Sequence, residues 1–191
     1  MIRQTWFVTG AASHLGADIA RQALAAGHRV VATDIDPLAA LRRIGNQGGE
    51  RLLALPLDEV DAYEVGIAVK AAVARFGDID VLVHGAAACS PQGKFAGPTP
   101  GIDSSAFVHA LFNVTRAALE AMREQGAGRI HHLVPDQTRG PTLFSIDGFC
   151  QSVEADVAPF GIEVTAVAAH DAARLLCSGS GSGRDEVLEE A

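Results

Sequence analysis

The stretch "FVTGAASHLGADIA", residues 7–20, joins a β-prone run to a helix-prone one through a turn bounded by Gly10 and Gly16. Glycine at both ends permits a tight backbone and close approach to a pyrophosphate, while the helix that follows presents free N–H groups to an anion. A Gly-x5-Gly spacing is weak by itself, and its place between strand and helix is what gives it meaning. His14 stands where such turns most often carry a middle glycine. Its side chain either points away from the phosphates or makes a phosphate contact of its own.

Outward from this turn, apolar β-prone runs alternate with helical patterns. "TWFVTG" is a strand, and the helix after it is closed by Gly27. "HRVVATD" is a second strand, with a helix starting at Asp36-Pro37. "RLLALPLD" is a third, followed by a helix over residues 62–76 that Gly77 ends. "IDVLVHG" is the fourth, then a long helix over 107–125 and a fifth strand, "GRIHHLV". A helix near "IDGFCQSVEADVAPFG" and a sixth strand, "IEVTAVAAH", complete the pattern. Such alternation predicts an α/β fold: a doubly wound parallel sheet of about six strands, flanked by helices on both faces. The strands are apolar throughout rather than alternating, which suits burial on both sides. One domain over 1–177 is expected. The segment 178–191, Gly/Ser-rich and then acidic, reads as a mobile tail.

Length and composition agree. The 191 residues suffice for one core, and 48% hydrophobic with 20% charged residues indicates a globular chain. A net charge of −8 argues against non-specific binding to nucleic acid or an anionic membrane. No apolar run approaches the roughly 18 residues of a membrane span. The N-terminus passes straight into a strand without a signal-peptide pattern. Cys89, Cys150 and Cys177 are odd in number and lack CxxC spacing, so they predict buried or incidental thiols and a cytoplasmic setting.

Asp34 ends the second strand, 24 residues after Gly10. A carboxylate there can accept hydrogen bonds from both adenosine ribose hydroxyls and would repel a 2′-phosphate, which predicts NAD(H) as cofactor. The alternative is that Asp34 merely caps the next helix. With this residue in place, the chain resembles the short-chain dehydrogenase/reductases over residues 3–170. The likeness is carried by "TGAASHLG", "ATDID", "LDEVD", "DVLVHGAA", "NVTRAALEAMREQGAGRI" and "APFGIEVTAVA". The resemblance implies a Rossmann-like fold and an adenine contact from Asp58. It implies a cofactor groove made by Thr9, Gly10, Ser13, His14, Leu15, Gly16, Asp34, Leu57, Asp58, Gly85 and Ala86. It also implies a homodimer or homotetramer, packed through the long helix and the one after it.

The family's catalytic parts do not transfer. Carbonyl reduction leaves an oxyanion that needs a placed proton donor, which the family supplies with a tyrosine, a lysine, a serine and an asparagine. The one tyrosine, Tyr63, and the lysines, Lys70 and Lys94, all come too early in the chain. Phe107 stands at the asparagine position, Pro135 near the serine position, and Arg139 and Leu143 near the tyrosine and lysine positions. The family's "NNAG" is here His84-Gly85-Ala86-Ala87. A substrate lid and seventh strand are expected to be missing after the sixth strand.

Several of the seven histidines fall at strand ends. The carboxyl ends of strands border the ligand crevice in this fold, so His84, His132, Asp136 and His170 are candidates to converge, with His131 on the opposite face by pleat alternation. Three readings remain open: acid/base or ligand-binding groups oriented by Asp136 or Asp171, a divalent-metal site, or polar residues tolerated at strand ends. No metal ligand is assigned. Arg116, Arg139 and Arg174 are open between anion binding and ordinary solvation. The helix stripe Leu111, Val114, Ala118, Leu119 and Met122 is spaced for burial.

Three functions follow from this pattern. The first is an NAD(H)-binding relative whose usual oxidoreductase chemistry is lost or rebuilt. The second is an unconventional oxidoreductase, lyase or hydrolase acting through His84, His132 and His170 on a small molecule. The third is a regulatory or scaffolding module whose oligomer contacts respond to nucleotide.

Overall fold

The protein was studied as a computed structural model, which describes residues 2–85, 104–134 and 141–176, with side chains at 104–107, 141–145 and 173–176 outside that description. Six strands lie in one sheet: β1 (Thr5–Thr9), β2 (Arg29–Asp34), β3 (Leu52–Pro56), β4 (Val81–His84), β5 (Gly128–Val134) and β6 (Ile162–Ala168). Five α-helices connect them: α1 (His14–Ala25), α2 (Pro37–Ile44), α3 (Ala62–Phe76), α4 (Ser104–Gln125) and α5 (Pro141–Val157). Every strand pairing is parallel, in the order β3-β2-β1-β4-β5-β6. The direction of winding reverses between β1 and β4. In such a sheet the ligand crevice opens at that reversal, outside the carboxyl ends of the strands.

Successive strand residues point to opposite faces, so β1 sends Phe7 one way and Trp6 and Val8 the other. Phe7 joins Leu82, Ile130 and Val164 under α3, α4 and α5. Trp6 and Val8 join Val30, Val81 and Val83 under α1 and α2. The stripe on α4 is buried as its spacing requires: Leu111, Val114, Ala118 and Met122 are covered, with Leu119 packed at the margin. Each fully buried aliphatic or aromatic side chain contributes roughly 1.5–3 kcal/mol.

Local chemistry fixes the helix ends. Ser13, Asp36 and Asp61 cap α1, α2 and α3 through their side-chain oxygens, and Pro37 sits in the first turn of α2. Asp36, not Asp34, therefore caps α2, and the alternative role for Asp34 is set aside. The long helix begins at Ser104, three residues before the sequence expectation. β3 is preceded by a short 3-10 turn, Gly49–Arg51, and β6 is followed by another, Ala169–Leu176. Ala86, Ala87, Cys89, Lys94, Pro135, Asp136, Arg139, Cys177 and the 178–191 tail lie outside the described residues, as do the side chains of Phe107, Leu143 and Arg174.

Candidate functional site

The β1–α1 turn keeps both of its glycine requirements. Gly10 has φ +62°, a conformation that side chains with a Cβ rarely adopt. A Cβ on Gly16 would meet the Gly10 carbonyl oxygen at 2.4 Å, so no larger residue fits there without moving backbone. Ser13 Oγ accepts from the Gly16 N–H at 2.9 Å and caps the helix. The first-turn amides of His14 and Leu15 have no partner within the helix, as expected at any α-helix start.

His14 does not fill this turn. It is exposed, and its Nε2 accepts an N–H from the Arg43 guanidinium of α2 at 3.2 Å. The imidazole is thus drawn sideways toward α2. Asp34, at the end of β2, faces the turn: Oδ2 accepts from the Ala12 N–H at 2.9 Å and Oδ1 from the Asp36 N–H at 3.2 Å. A carboxylate has about four acceptor positions, so each oxygen retains capacity for a hydroxyl donor.

The loop between β3 and α3 forms the next wall. Leu57 is buried, and its N–H bonds the Asp34 carbonyl at 3.0 Å. Asp58 is exposed, with its N–H bonded to Glu64 Oε2 at 2.9 Å and its Oδ1 bracing the Val60 N–H at 2.9 Å. Asn113 of α4 donates to the Glu59 and Val60 carbonyls at 3.2 and 2.8 Å. Gly85, just beyond β4, donates its N–H to Thr9 Oγ1 at 3.3 Å, which ties the β4 end to the start of the turn. The described members of the expected groove therefore lie together along the β1, β2, β3 and β4 ends.

The strand-end histidines divide. His84 and His132 are adjacent in the β4–β5 register, with Nδ1 atoms 3.0 Å apart and rings edge-on at 5.1 Å between centroids. Both are almost fully buried. His132 Nε2 lies 3.2 Å from Thr115 Oγ1, and that hydroxyl donates to the Leu111 carbonyl at 2.6 Å. With its hydrogen committed, Thr115 must accept from His132 Nε2–H. His132 Nδ1 is then an acceptor, and His84 Nδ1–H donates to it. Burial lowers the pKa of both rings; the Glu59 carboxylate partly offsets this for His84, while His84 and His131 reinforce it for His132.

His170 does not join them. It is 64% exposed in its side chain and pairs with Asp171 at 3.2 Å. Of the histidines expected to converge, His84 and His132 meet directly, while the His170 side chain is largely exposed in the turn after β6. Asp136 lies outside the described residues. His131 points to the other face, where its Nδ1 meets Thr165 Oγ1 at 2.8 Å and burial pushes its pKa down to about 4. Among the described residues no group of three His, Cys, Asp or Glu has a metal-binding arrangement. Glu59, Thr115 and Asn113 escaped the sequence reading; only Glu59, beside Asp58 in "LDEVD", carried any local signal.

The described cysteine, Cys150, is buried, and its thiol is pushed up to about 12 by burial and then by Asp147 and Glu154, which disfavours the thiolate. Tyr63 sits in the first turn of α3, 77% exposed, and Lys70 lies further along the same helix. A groove of about 680 Å³ runs between α4 and α5, lined by Phe112, Arg116, Leu119, Glu120, Arg123 and Phe149 among others. No helix among the described residues is long and apolar enough to cross a membrane.

Comparison with known proteins bears on this geometry. The short chain dehydrogenase family model matches residues 4–134, which is most of the sheet and the whole turn. The chain belongs to the short chain dehydrogenase family. Oxidoreductase BOA17 from Botryotinia fuckeliana is 29% identical over 176 residues, covering 84% of this chain and 62% of that protein. An uncharacterized oxidoreductase, Mb1385 from Mycobacterium bovis, is 34% identical over 132 residues, covering 66% of this chain and 53% of its own length. A putative ketoacyl reductase of the monensin polyketide synthase from Streptomyces virginiae is 33% identical over 179 residues, with coverages of 84% and 67%. The matched part thus spans between half and two thirds of these short chain dehydrogenase relatives. Among solved structures, a short-chain dehydrogenase from Streptomyces avermitilis matches with TM-score 0.70 and 27% identity, over 88% of this chain and 65% of that one. A variant of actinorhodin polyketide ketoreductase with NADPH matches with TM-score 0.71 and 25% identity, over 87% and 69%.

Proposed function

We propose that this chain binds a nicotinamide adenine dinucleotide, NAD(H), across the ends of β1, β2, β3 and β4, and that the family's ordinary carbonyl chemistry is lost or rebuilt in it. The observation that carries the reading is the turn: a glycine pair that admits no Cβ at Gly16, beside an imidazole held off by Arg43. Its residues fit the group. The α1 N-terminus favours the pyrophosphate. Asp34 receives the adenosine ribose hydroxyls, and Asp58 and Leu57 receive the adenine. Thr9, Gly10, Ser13, Leu15 and Gly16 line the phosphate side, with Gly85 at the end of β4 beside them. When bound, the nicotinamide ring supplies hydride acceptance or donation.

The polyketide ketoreductase neighbour was solved with NADPH. Asp34 favours the other form here, because its carboxylate repels a 2′-phosphate. The loss of ordinary chemistry is supported by Tyr63 and Lys70 both lying on α3, and by Phe107, Pro135, Arg139 and Leu143 standing at the positions matched to the family's asparagine, serine, tyrosine and lysine. A homodimer or homotetramer through the α4–α5 groove belongs to the same reading. It is supported by exposed Phe112 and by Arg116, Glu120 and Arg123, which a two-fold partner can pair with opposite charge.

Calorimetric titration with NADH, NAD⁺, NADPH and NADP⁺ tests this. Binding of the non-phosphorylated forms at micromolar to millimolar concentration is expected. Equal or tighter binding of the 2′-phosphorylated forms overturns the role of Asp34, and no binding of any form removes the reading.

A further inference from the structure

Asp58 stands in a short loop that runs from Leu57, just past β3, to Asp61, the cap of α3. The shape of this loop is set locally. Asp58 Oδ1 accepts from the Val60 N–H at 2.9 Å, and the Asp58 carbonyl accepts from the Asp61 N–H at 3.1 Å. Glu64 Oε2 accepts from the Asp58 N–H at 2.9 Å. These bonds close within residues 58–64, so they give the loop a shape without fixing where it stands against its neighbours.

Its place is set from outside, on either side of Asp58. Before it, the Leu57 N–H bonds the Asp34 carbonyl at 3.0 Å and ties the loop to β2. After it, Asn113 Nδ2 of α4 lies 3.2 Å from the Glu59 carbonyl oxygen and 2.8 Å from that of Val60. Both partners are carbonyl oxygens, which only accept, so the amide must present its NH2 and give one hydrogen to each. Carbonyls ahead of a helix cap find no partner in that helix, and this one side chain serves two in succession. Asn113 follows Phe112 and precedes the buried Val114, and is itself half-buried, so its polar end reaches the loop without entering the core.

We propose that Asn113 is a positioning residue for the adenine half of the cofactor: by bridging two consecutive carbonyls, it holds residues 57–60 where Leu57 and Asp58 meet the ring. The inference rests on the dinucleotide reading above and brings α4 into the adenosine side of the seat. Asn113 acts through the loop and does not touch the ligand. Without its two bonds the loop is anchored on one side of Asp58 only, and the ligand must order it. Apparent affinity then falls by the fraction of molecules in which the loop already stands in place.

The test is calorimetric titration of the full chain with ADP and with NADH, alongside hydrogen exchange at the loop amides. Asn113→Ala removes both bonds, and alanine is the better helix former, so α4 keeps its fold. ADP and NADH are expected to bind this variant on the order of three- to tenfold more weakly, by the same factor, because they share the adenine half. The Val60 and Asp61 amides are expected to exchange faster while the melting temperature stays at the wild-type value. Asn113→Gln, which keeps the amide, is expected to bind ADP more tightly than Asn113→Ala. Asn113→Ala binding ADP as the wild type does overturns the positioning role and leaves the cofactor reading intact. A loss of ADP affinity with loop exchange unchanged also overturns it, since the amide would then touch the ligand itself. A wild type that binds neither ADP nor NADH removes both.

Discussion

A Cβ atom on Gly16 would lie 2.4 Å from the carbonyl oxygen of Gly10, well inside contact distance, so the first helix starts as close to the first strand as backbone allows. Gly16→Ala must push the α1 start away from the turn. A loss of about 1–3 kcal/mol in stability is expected, with NADH affinity reduced at least tenfold. Thermal melts and NADH titration check both, and a variant that binds like the wild type would refute the phosphate seat.

Asp34 stabilises the same turn from the side. Asp34→Ala leaves the Ala12 N–H without its side-chain acceptor, at a cost of about 1–2 kcal/mol. The same change removes the ribose acceptor, so NADH affinity is expected to fall while any preference against NADPH disappears. Chemical denaturation and paired titrations measure the two effects. An unchanged NADH to NADPH ratio would separate Asp34 from cofactor choice.

Buried histidines set the acid limit of the fold. His131 is lowered from 6.5 to about 4 by burial and then Arg129, and His84 and His132 are lowered in the same direction. In the unfolded chain these rings titrate at their ordinary value, so acid is taken up more readily by the unfolded state. Their contribution is complete above pH 6.5 and is lost as pH falls toward 4. Asp80 works the other way: burial raises its carboxyl above 3.8, so its ionisation costs stability as pH rises above that value and offsets part of the histidine effect. The melting temperature is expected to drop between pH 7 and pH 5, with a smaller drop in His131→Leu. A flat profile over that range would contradict the burial of these rings.

Phe112 stands at the mouth of the α4–α5 groove, its ring 4.8 Å from that of Phe149 and its surface 54% exposed. Phe112→Glu is expected to convert a dimer or tetramer to monomer without loss of helix content. Sedimentation velocity with circular dichroism checks this, and a monomeric wild type would refute the assembly.

The alternation of apolar strands and helices, the helix start at Asp36-Pro37 and the glycines bounding the first turn were all legible in the chain, because each depends on neighbours a few residues away. That the residues from Thr9 to Gly85 lie near one edge was legible for a different reason: a parallel sheet brings every β-strand's carboxyl end to the same side. The exposure of His170 was not legible, because the path of a turn after the last strand is not encoded in strand periodicity. Thr115 was missed because nothing near it in sequence marks a partner, and Glu59 because the signal in "LDEVD" pointed to its neighbour Asp58.

The sequence by itself determined a doubly wound sheet with a glycine-bounded first turn and placed Asp34 at the end of its second strand. Only the tertiary structure decided that His14 turns to Arg43, that Asp34 faces the turn rather than capping α2, and that His84 meets His132 at 3.0 Å. These are contacts across 22 to 48 residues of chain, set by strand register and side-chain rotamer. Local spacing carries no information about either.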